Sequence, residues 1–197
     1  MKINILYIFI LPLLLSSFSQ IQNTQLLDIS TKQGRIYINK NLLPLETTKT
    51  ILDSSIGVEG VWKKGKKIKG LVSKIYGGDY VKYDDFGIYA TKSYEKDILA
   101  SISIRFSKES AYKYGKEKLK TKEVFQGNLA IEDIILNVST TLDKLKNTPN
   151  CRIESSLING TAISHTLIKS NTRVLMHFGP KSGQLIDASV MLFSNNK

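Results

Sequence analysis

The sequence predicts an α+β protein that is mainly antiparallel β-sheet with two short helices. Apolar and polar residues alternate in several segments, most clearly over 98–106, where apolar side chains occupy every second position. Turn-forming pairs such as Gly77-Gly78 and Asn159-Gly160 separate these segments at short intervals. Only 47–54 and 140–146 combine a threonine-rich start with a helical length and a clear stop.

The first half of the chain is predicted to run from a hairpin through a helix into a series of strands. The hairpin covers 29–38, and the asparagine-rich turn at 39–41 follows it. The helix over 47–54 has Glu46 or Thr47 as its cap and ends at Gly57. The strands that follow are 60–76 as two strands around a basic connection, 80–83, 88–90 after a turn at 84–87, and 98–106.

The second half is predicted to repeat this order after a charged connection. Lysine and glutamate dominate 108–123 without a helical stripe, so we expect a long connection there. Two strands come next, and the short helix over 140–146 stops before Pro149. The predicted strands of this half are 124–131, 134–138, 152–157, 162–169, 173–178 and 185–193.

The two halves resemble each other in sequence. Residues 36–48 and 129–141 both run from a strand through a two-residue polar turn and a second strand to a threonine-rich helix start. We therefore predict a tandem duplication of a ββαβββ unit. The alternative is that two β-rich stretches share only common turn chemistry.

Residues 1–19 are predicted to be a cleavable signal peptide. Lys2 precedes an apolar run over 5–15, and the small residues Ser17 and Ser19 fit a cleavage site after Ser19. A membrane-spanning helix needs about 20 apolar residues. Because this run is shorter, an uncleaved anchor is the less favoured alternative. We expect an exported protein, periplasmic or extracellular, without a transmembrane segment after cleavage.

The predicted organisation has five parts and no internal disulfide. Cys151 is the single cysteine, so stability must come from apolar packing. The parts are a signal peptide at 1–19, a flexible N-terminus at 20–28, a first α+β repeat at 29–107, a charged connection at 108–123 and a second α+β repeat at 124–194.

The charge of the chain points to an anionic partner. Its net charge is +11, and most of the excess comes from lysine. Such a surface favours an acidic protein or an anionic envelope surface, and for an exported chain we do not expect nucleic acid. Tryptophan can anchor at an interface. A solvated lysine cluster that protects a sheet edge is the alternative. The candidate binding residues are Trp62, Lys63, Lys64, Lys66, Lys67 and Lys69.

No catalytic or metal-binding motif stands out in the sequence. The two histidines, His165 and His177, lie in predicted strands without the close spacing typical of a zinc site. Either of them, with Asp187 and Cys151, could form a catalytic set, but spatial adjacency cannot be read from the sequence. We predict no cofactor, no metal and no enzymatic activity.

Three segments carry a resemblance to a known group of proteins. They are the aromatic–Asp–Asp–x–Gly–Ile turn at 83–88, the alternating strand at 101–106 and the Phe–x–Gly–x–Leu strand from Phe125. Together they resemble an uncharacterised family of exported bacterial proteins. The paired repeats are also similar, at the level of fold alone, to β-lactamase-inhibitor-like proteins. The shared motifs are structural, so the resemblance implies no catalytic residue.

The function expected from these observations is a non-enzymatic binding module. It would recognise an acidic protein, as inhibitors and immunity proteins do, through lysine and aromatic side chains on a rigid β scaffold. One alternative is a structural or assembly factor of the envelope. The other is a hydrolase with an unrecognised site around His165, His177 and Asp187.

Overall fold

The computed structural model describes residues 26–64, 79–93, 96–109, 121–158 and 162–192. The predicted signal peptide and most of the charged connection lie outside the described residues. Within these ranges, no helix is both long enough and apolar enough to span a membrane.

The predicted α+β class, with mainly antiparallel sheet and two short helices, is confirmed. The first half of the described chain comprises β1 (Ile29–Lys32), β2 (Arg35–Ile38), β3 (Asn41–Leu42), α1 (Lys49–Ile56), β4 (Val61–Lys63), β5 (Tyr80–Tyr83), β6 (Ile88–Lys92) and β7 (Leu99–Arg105). The second half comprises β8 (Leu129–Ile131), β9 (Ile134–Leu136), α2 (Leu142–Lys146), β10 (Arg152–Ile158), β11 (Ala162–Lys169), β12 (Thr172–Phe178) and β13 (Leu185–Met191).

Helix α1 begins slightly later than predicted because a different threonine caps it. The Thr47 side chain is fully buried, and its hydroxyl donates to the carbonyl of Pro44. Thr48 is therefore the N-cap, and its Oγ1 accepts from the Ile51 amide at 3.4 Å. Gly57 ends the helix in the left-handed region with φ +85°, as predicted.

The described strands form two sheets. The small sheet has the order β3-β2-β1-β8-β9, and its β1–β8 pair is parallel, with Thr31 opposite Ile131. The large sheet has the order β10-β11-β12-β13-β7-β6-β5-β4, and each of its pairs is antiparallel. The first half of the chain therefore contributes three strands to the small sheet and the second half two, and each half contributes four strands to the large sheet.

The two halves of the large sheet meet at β7 and β13. Ser103 lies opposite Ser189 in this pair, and their hydroxyl oxygens are 2.5 Å apart. Each half places four strands after its helix, which is one more than in the predicted unit. The common order of elements is compatible with a tandem duplication, which stays a prediction.

One apolar core joins both sheets and both helices. The small sheet contributes Ile29 and Ile131, and the large sheet contributes Ile104 and Met176, all of them buried. Leu52 of α1 is also fully buried in this cluster. Successive residues of a strand point to opposite faces of a sheet. The face of the large sheet away from the core therefore carries the residues that alternate with the buried apolar ones, among them Ser103, Asp187 and Ser189.

The turn between β5 and β6 binds the segment that leads towards β8. The Oδ1 atom of Asp84 accepts from the Lys122 amide at 3.0 Å, a bond to backbone N–H that is typical of an aspartate in a turn. The Phe125 amide donates to the Arg105 carbonyl at 2.7 Å. Gly87 has φ +68°, and a Cβ atom there would lie 2.3 Å from the Phe125 nitrogen. This packing explains why 124–128, predicted as strand, forms no strand.

Candidate functional site

Trp62 and Lys63 lie on β4, at the end of the large sheet that the first half builds. Every side chain of β4 is exposed, and Trp62 is 42% exposed. Lys64 follows directly and is also exposed. We call the set of Trp62, Lys63, Lys64 and Lys92 the Trp62 edge. The other predicted binding residues, Lys66, Lys67 and Lys69, lie outside the described residues.

Lys92 adds a cation that the sequence analysis did not associate with Trp62. Its Nζ atom lies 5.9 Å from the centre of the indole ring, within the range of a cation–π contact. The same ammonium is 2.7 Å from Oδ1 of Asp97, and this hydrogen bond raises the pKa of Lys92. Lys92 therefore stays charged beside the ring at neutral pH.

The charges of Lys63 and Lys64 are not neutralised within the described part of the chain, where neither residue forms an ion pair. The nearby carboxylate of Asp84 is instead bound by Lys82, at 2.7 Å. Burial raises the pKa of Asp84, but hydrogen bonds from Lys82 and the Lys122 amide outweigh it and lower the pKa overall. The two exposed lysines are therefore available to an acidic partner.

A partly buried carboxylate, that of Asp53, fixes β4 relative to α1 and β5. Its Oδ1 atom accepts from the Gly60 amide at 2.9 Å and from the Tyr83 hydroxyl at 2.7 Å. Its Oδ2 atom accepts from Lys49 Nζ at 2.5 Å. Burial raises the pKa of Asp53, but these hydrogen bonds outweigh it and hold the pKa below its ordinary value. Burial and the Asp53 carboxylate both raise the pKa of Tyr83.

Gly60 allows β4 to approach β5 closely. A Cβ atom at this position would lie 2.5 Å from Cγ2 of Val81 and 2.7 Å from the ring of Tyr83. The residue before β4 must therefore lack a side chain. Together with the Asp53 hydrogen bonds, this contact holds the Trp62 edge in a defined position.

A second polar constellation crosses the large sheet on the face away from the core. Ser164, His177, Asp187 and Arg105 lie directly opposite one another on β11, β12, β13 and β7. Residues paired in this way share one face of a sheet. The His177 Nδ1 and Asp187 Oδ1 atoms are 2.7 Å apart, and both side chains are almost buried. We call these four residues the polar row.

The structure brings His177 and Asp187 together but separates the other catalytic candidates from them. His165 lies on the core face, where its Nδ1 is 2.8 Å from the Ser155 hydroxyl and its ring meets Phe178 edge-on. Burial lowers the pKa of His165. Cys151 lies beside α2, and its Sγ is 3.2 Å from the carbonyl of Thr148.

Ser164 lies directly opposite His177, and its hydroxyl contacts a neighbouring serine. Its Oγ is 2.8 Å from Oγ of Ser156, and Ser164 itself is 2% exposed. In the described ranges, no group of three or more His, Cys, Asp or Glu side chains is placed to hold a metal ion. The polar row therefore contains a nearly buried histidine–aspartate pair, while its Ser164 hydroxyl contacts Ser156 of β10.

A comparison with known protein families shows the family to which the chain belongs. Residues 28–146 match the family model described as Domain of unknown function (DUF7738). The chain belongs to this family. The match covers more than half of the 197 residues and contains the small sheet, both helices and β4–β7, including the Trp62 edge. The strands β10–β13, with His177 and Asp187, follow the DUF7738 region. No curated protein and no solved structure matches the chain.

Proposed function

We propose that the protein is an exported, non-enzymatic binding module that recognises an acidic protein through the Trp62 edge, as an inhibitor or immunity protein would. The observation that carries this proposal is the exposed Trp62 ring, which has Lys92 at 5.9 Å and is followed along the chain by the exposed Lys63 and Lys64. Tryptophan supplies large contact area at low conformational cost and is enriched among the residues that dominate binding energy. The net charge of +11 and the predicted signal peptide at 1–19 support an acidic partner met after export.

A folded protein partner suits this edge better than a lipid surface. Trp62 and its neighbours stand on a strand that Asp53 and Gly60 hold in place. A rigid arrangement of ring and charges favours a partner of matching shape, because little ordering is needed when the two surfaces meet. The exposed Val61, 54% accessible, adds apolar area to the same edge strand, on the face opposite the Trp62 ring.

Reversing the two unpaired lysine charges should break the complex. We expect the double substitution Lys63→Glu and Lys64→Glu to weaken binding of the acidic partner by at least about tenfold, because two attractions become repulsions. The partner is first captured with tagged protein from envelope and secreted fractions. Its affinity is then measured by titration calorimetry at low and high salt, and the wild-type complex should weaken with salt.

A matched control separates local recognition from general charge. Lys144→Glu with Lys146→Glu makes the same change in net charge on exposed residues of α2, which contacts β10 at the opposite end of the large sheet. This variant should retain near-normal affinity. Equal losses in both variants, or no loss in either, would refute the Trp62 edge as the binding site.

The His177–Asp187 contact favours a hydrolase as the second candidate function. A carboxylate that orients an imidazole through Nδ1 is a recurring arrangement in acid–base catalysis. In this case, Asp187→Asn should abolish an activity found in a broad hydrolase screen, while Asp28→Asn, at an exposed carboxylate, should leave it intact. An activity that is equal in the two variants would remove this candidate.

A further inference from the structure

A cleft of about 560 Å³ lies where the parallel pair β1–β8 meets the hairpin of β11 and β12. Charged and hydroxyl side chains line it, and none of them belongs to the Trp62 edge or the polar row. We call it the Lys169 cleft. Its lining includes Ser30, Thr31, Lys32, Glu132, Asp133 and Lys169.

Lys169 occupies a position that an apolar residue would usually hold. It lies two residues after the fully buried Leu167, on the same face of β11, and is only 9% exposed. Its Nζ atom is 2.6 Å from Oδ1 of Asp133, whose side chain is 74% exposed. This hydrogen bond lowers the pKa of Asp133. A buried ammonium is costly, and an apolar side chain of similar volume is often as stable or more so. Stability alone therefore does not account for this lysine.

Thr31 adds an unsatisfied hydroxyl to the same cleft. It lies on β1 opposite Ile36 and Ile131, and it is 2% exposed. Its Oγ1 atom is itself buried and has no hydrogen-bond partner among the residues that the structure describes. Buried hydroxyls in folded proteins are almost always hydrogen-bonded. Because Thr31 lines the cleft, a rotation of its side chain towards the cleft would let a bound molecule supply the missing partner.

We propose that the Lys169 cleft binds a small zwitterion of the class of free α-amino acids. The lining carries two cations, Lys169 and Lys32, and two anions, Asp133 and Glu132, so it offers both signs of charge within one cleft. An ammonium group has three donors, and Lys169 gives one to Asp133. A second donor, together with the Thr31 hydroxyl, would hold the ligand carboxylate. Oδ1 of Asp133 accepts from Lys169 and Oε1 of Glu132 accepts from the Gln33 amide, so the second oxygen of each carboxylate would hold the ligand ammonium.

The test uses the full mature chain and the twenty common L-amino acids, one at a time at about 10 mM, in a thermal unfolding assay. We expect at least one of them to raise the melting temperature, with calorimetry giving a dissociation constant in the millimolar range or tighter. Acetate and ethylammonium, which each carry one of the two charges, should bind far more weakly. The proposal is overturned if no amino acid binds, or if acetate alone binds equally well.

Two variants tie binding to this cleft. Lys169→Met keeps a side chain of similar volume but removes the charge, and it should weaken binding of the amino acid by at least about 30-fold. Thr31→Val removes only the hydroxyl and should weaken binding several-fold, so it serves as the test if Lys169→Met does not fold. Lys144→Met, on an exposed face of α2, is the control and should bind normally. Unchanged binding in both cleft variants would place the ligand elsewhere and overturn the proposal.

Discussion

Replacing Gly87 with alanine is expected to lower the free energy of unfolding by roughly 3 to 4 kcal/mol. Gly87 has φ +68°, and an added Cβ would lie 2.3 Å from the Phe125 nitrogen and 2.7 Å from the Val124 carbonyl carbon. These are backbone atoms, and the Phe125 amide is bound to the Arg105 carbonyl at 2.7 Å. The backbone at Phe125 cannot move away from residue 87 without breaking the hydrogen bond between the Phe125 amide and the Arg105 carbonyl. Urea denaturation followed by circular dichroism measures the change.

Gly57→Ala provides the matched control for the Gly87 substitution. Gly57 also has a positive φ, +85°, but an added Cβ would meet nothing within 4 Å. Its substitution should therefore cost only the conformational strain, about 1 to 2 kcal/mol. The difference between the two variants measures how tightly the β5–β6 turn holds the segment around Phe125. Equal costs would show that this contact contributes little.

Replacing Asp53 with alanine is expected to cost about 3 kcal/mol of stability. The carboxylate accepts from the Gly60 amide, the Tyr83 hydroxyl and Lys49, and its side chain is only 19% exposed. Alanine would leave the Tyr83 hydroxyl and the Gly60 amide without this acceptor. Tyr83→Phe removes one of the three hydrogen bonds and should cost about 1 kcal/mol. A cost for Asp53→Ala no larger than that of Tyr83→Phe would contradict this account.

The contribution of Asp53 should also depend on pH. The hydrogen bonds hold the pKa of Asp53 in the folded protein below its ordinary value of 3.8. The stabilisation is therefore complete above pH 3.8 and is lost as the pH falls through the lower folded value. The stability difference between wild type and Asp53→Ala, measured by urea denaturation at a series of pH values, should shrink on acidification.

The elements of the fold follow from local patterns, but their long-range pairing does not. Alternation identified the strand at β7, and threonine with glycine identified the limits of α1 closely. The parallel contact between β1 and β8 joins residues a hundred positions apart, as in Ile29 opposite Leu129. No local pattern encodes such a pairing. The segment 124–128 has the apolar content of a strand, yet it forms no strand, and its Phe125 amide binds the carbonyl of Arg105 at the end of β7.

The candidate sites show the same division. Local composition predicts Trp62 and Lys63 as candidate binding residues, and both lie exposed on β4. The choice of His177 over His165 as the partner of Asp187 depends on the register of β12 against β13, which a single sequence does not reveal. For Lys169 the sequence does contain an indication, because alternation from the apolar Leu167 places this lysine on the core face of its strand.

The most direct test of the Trp62 edge is photocrosslinking in the cells that produce the protein. A photoreactive phenylalanine derivative replaces Trp62 in one variant and Lys144, on the exposed face of α2, in another. Our account predicts that the probe at 62 crosslinks to one acidic protein after export, less so at high salt, and that the probe at 144 does not. No adduct at 62, or the same adducts at both positions, would contradict it.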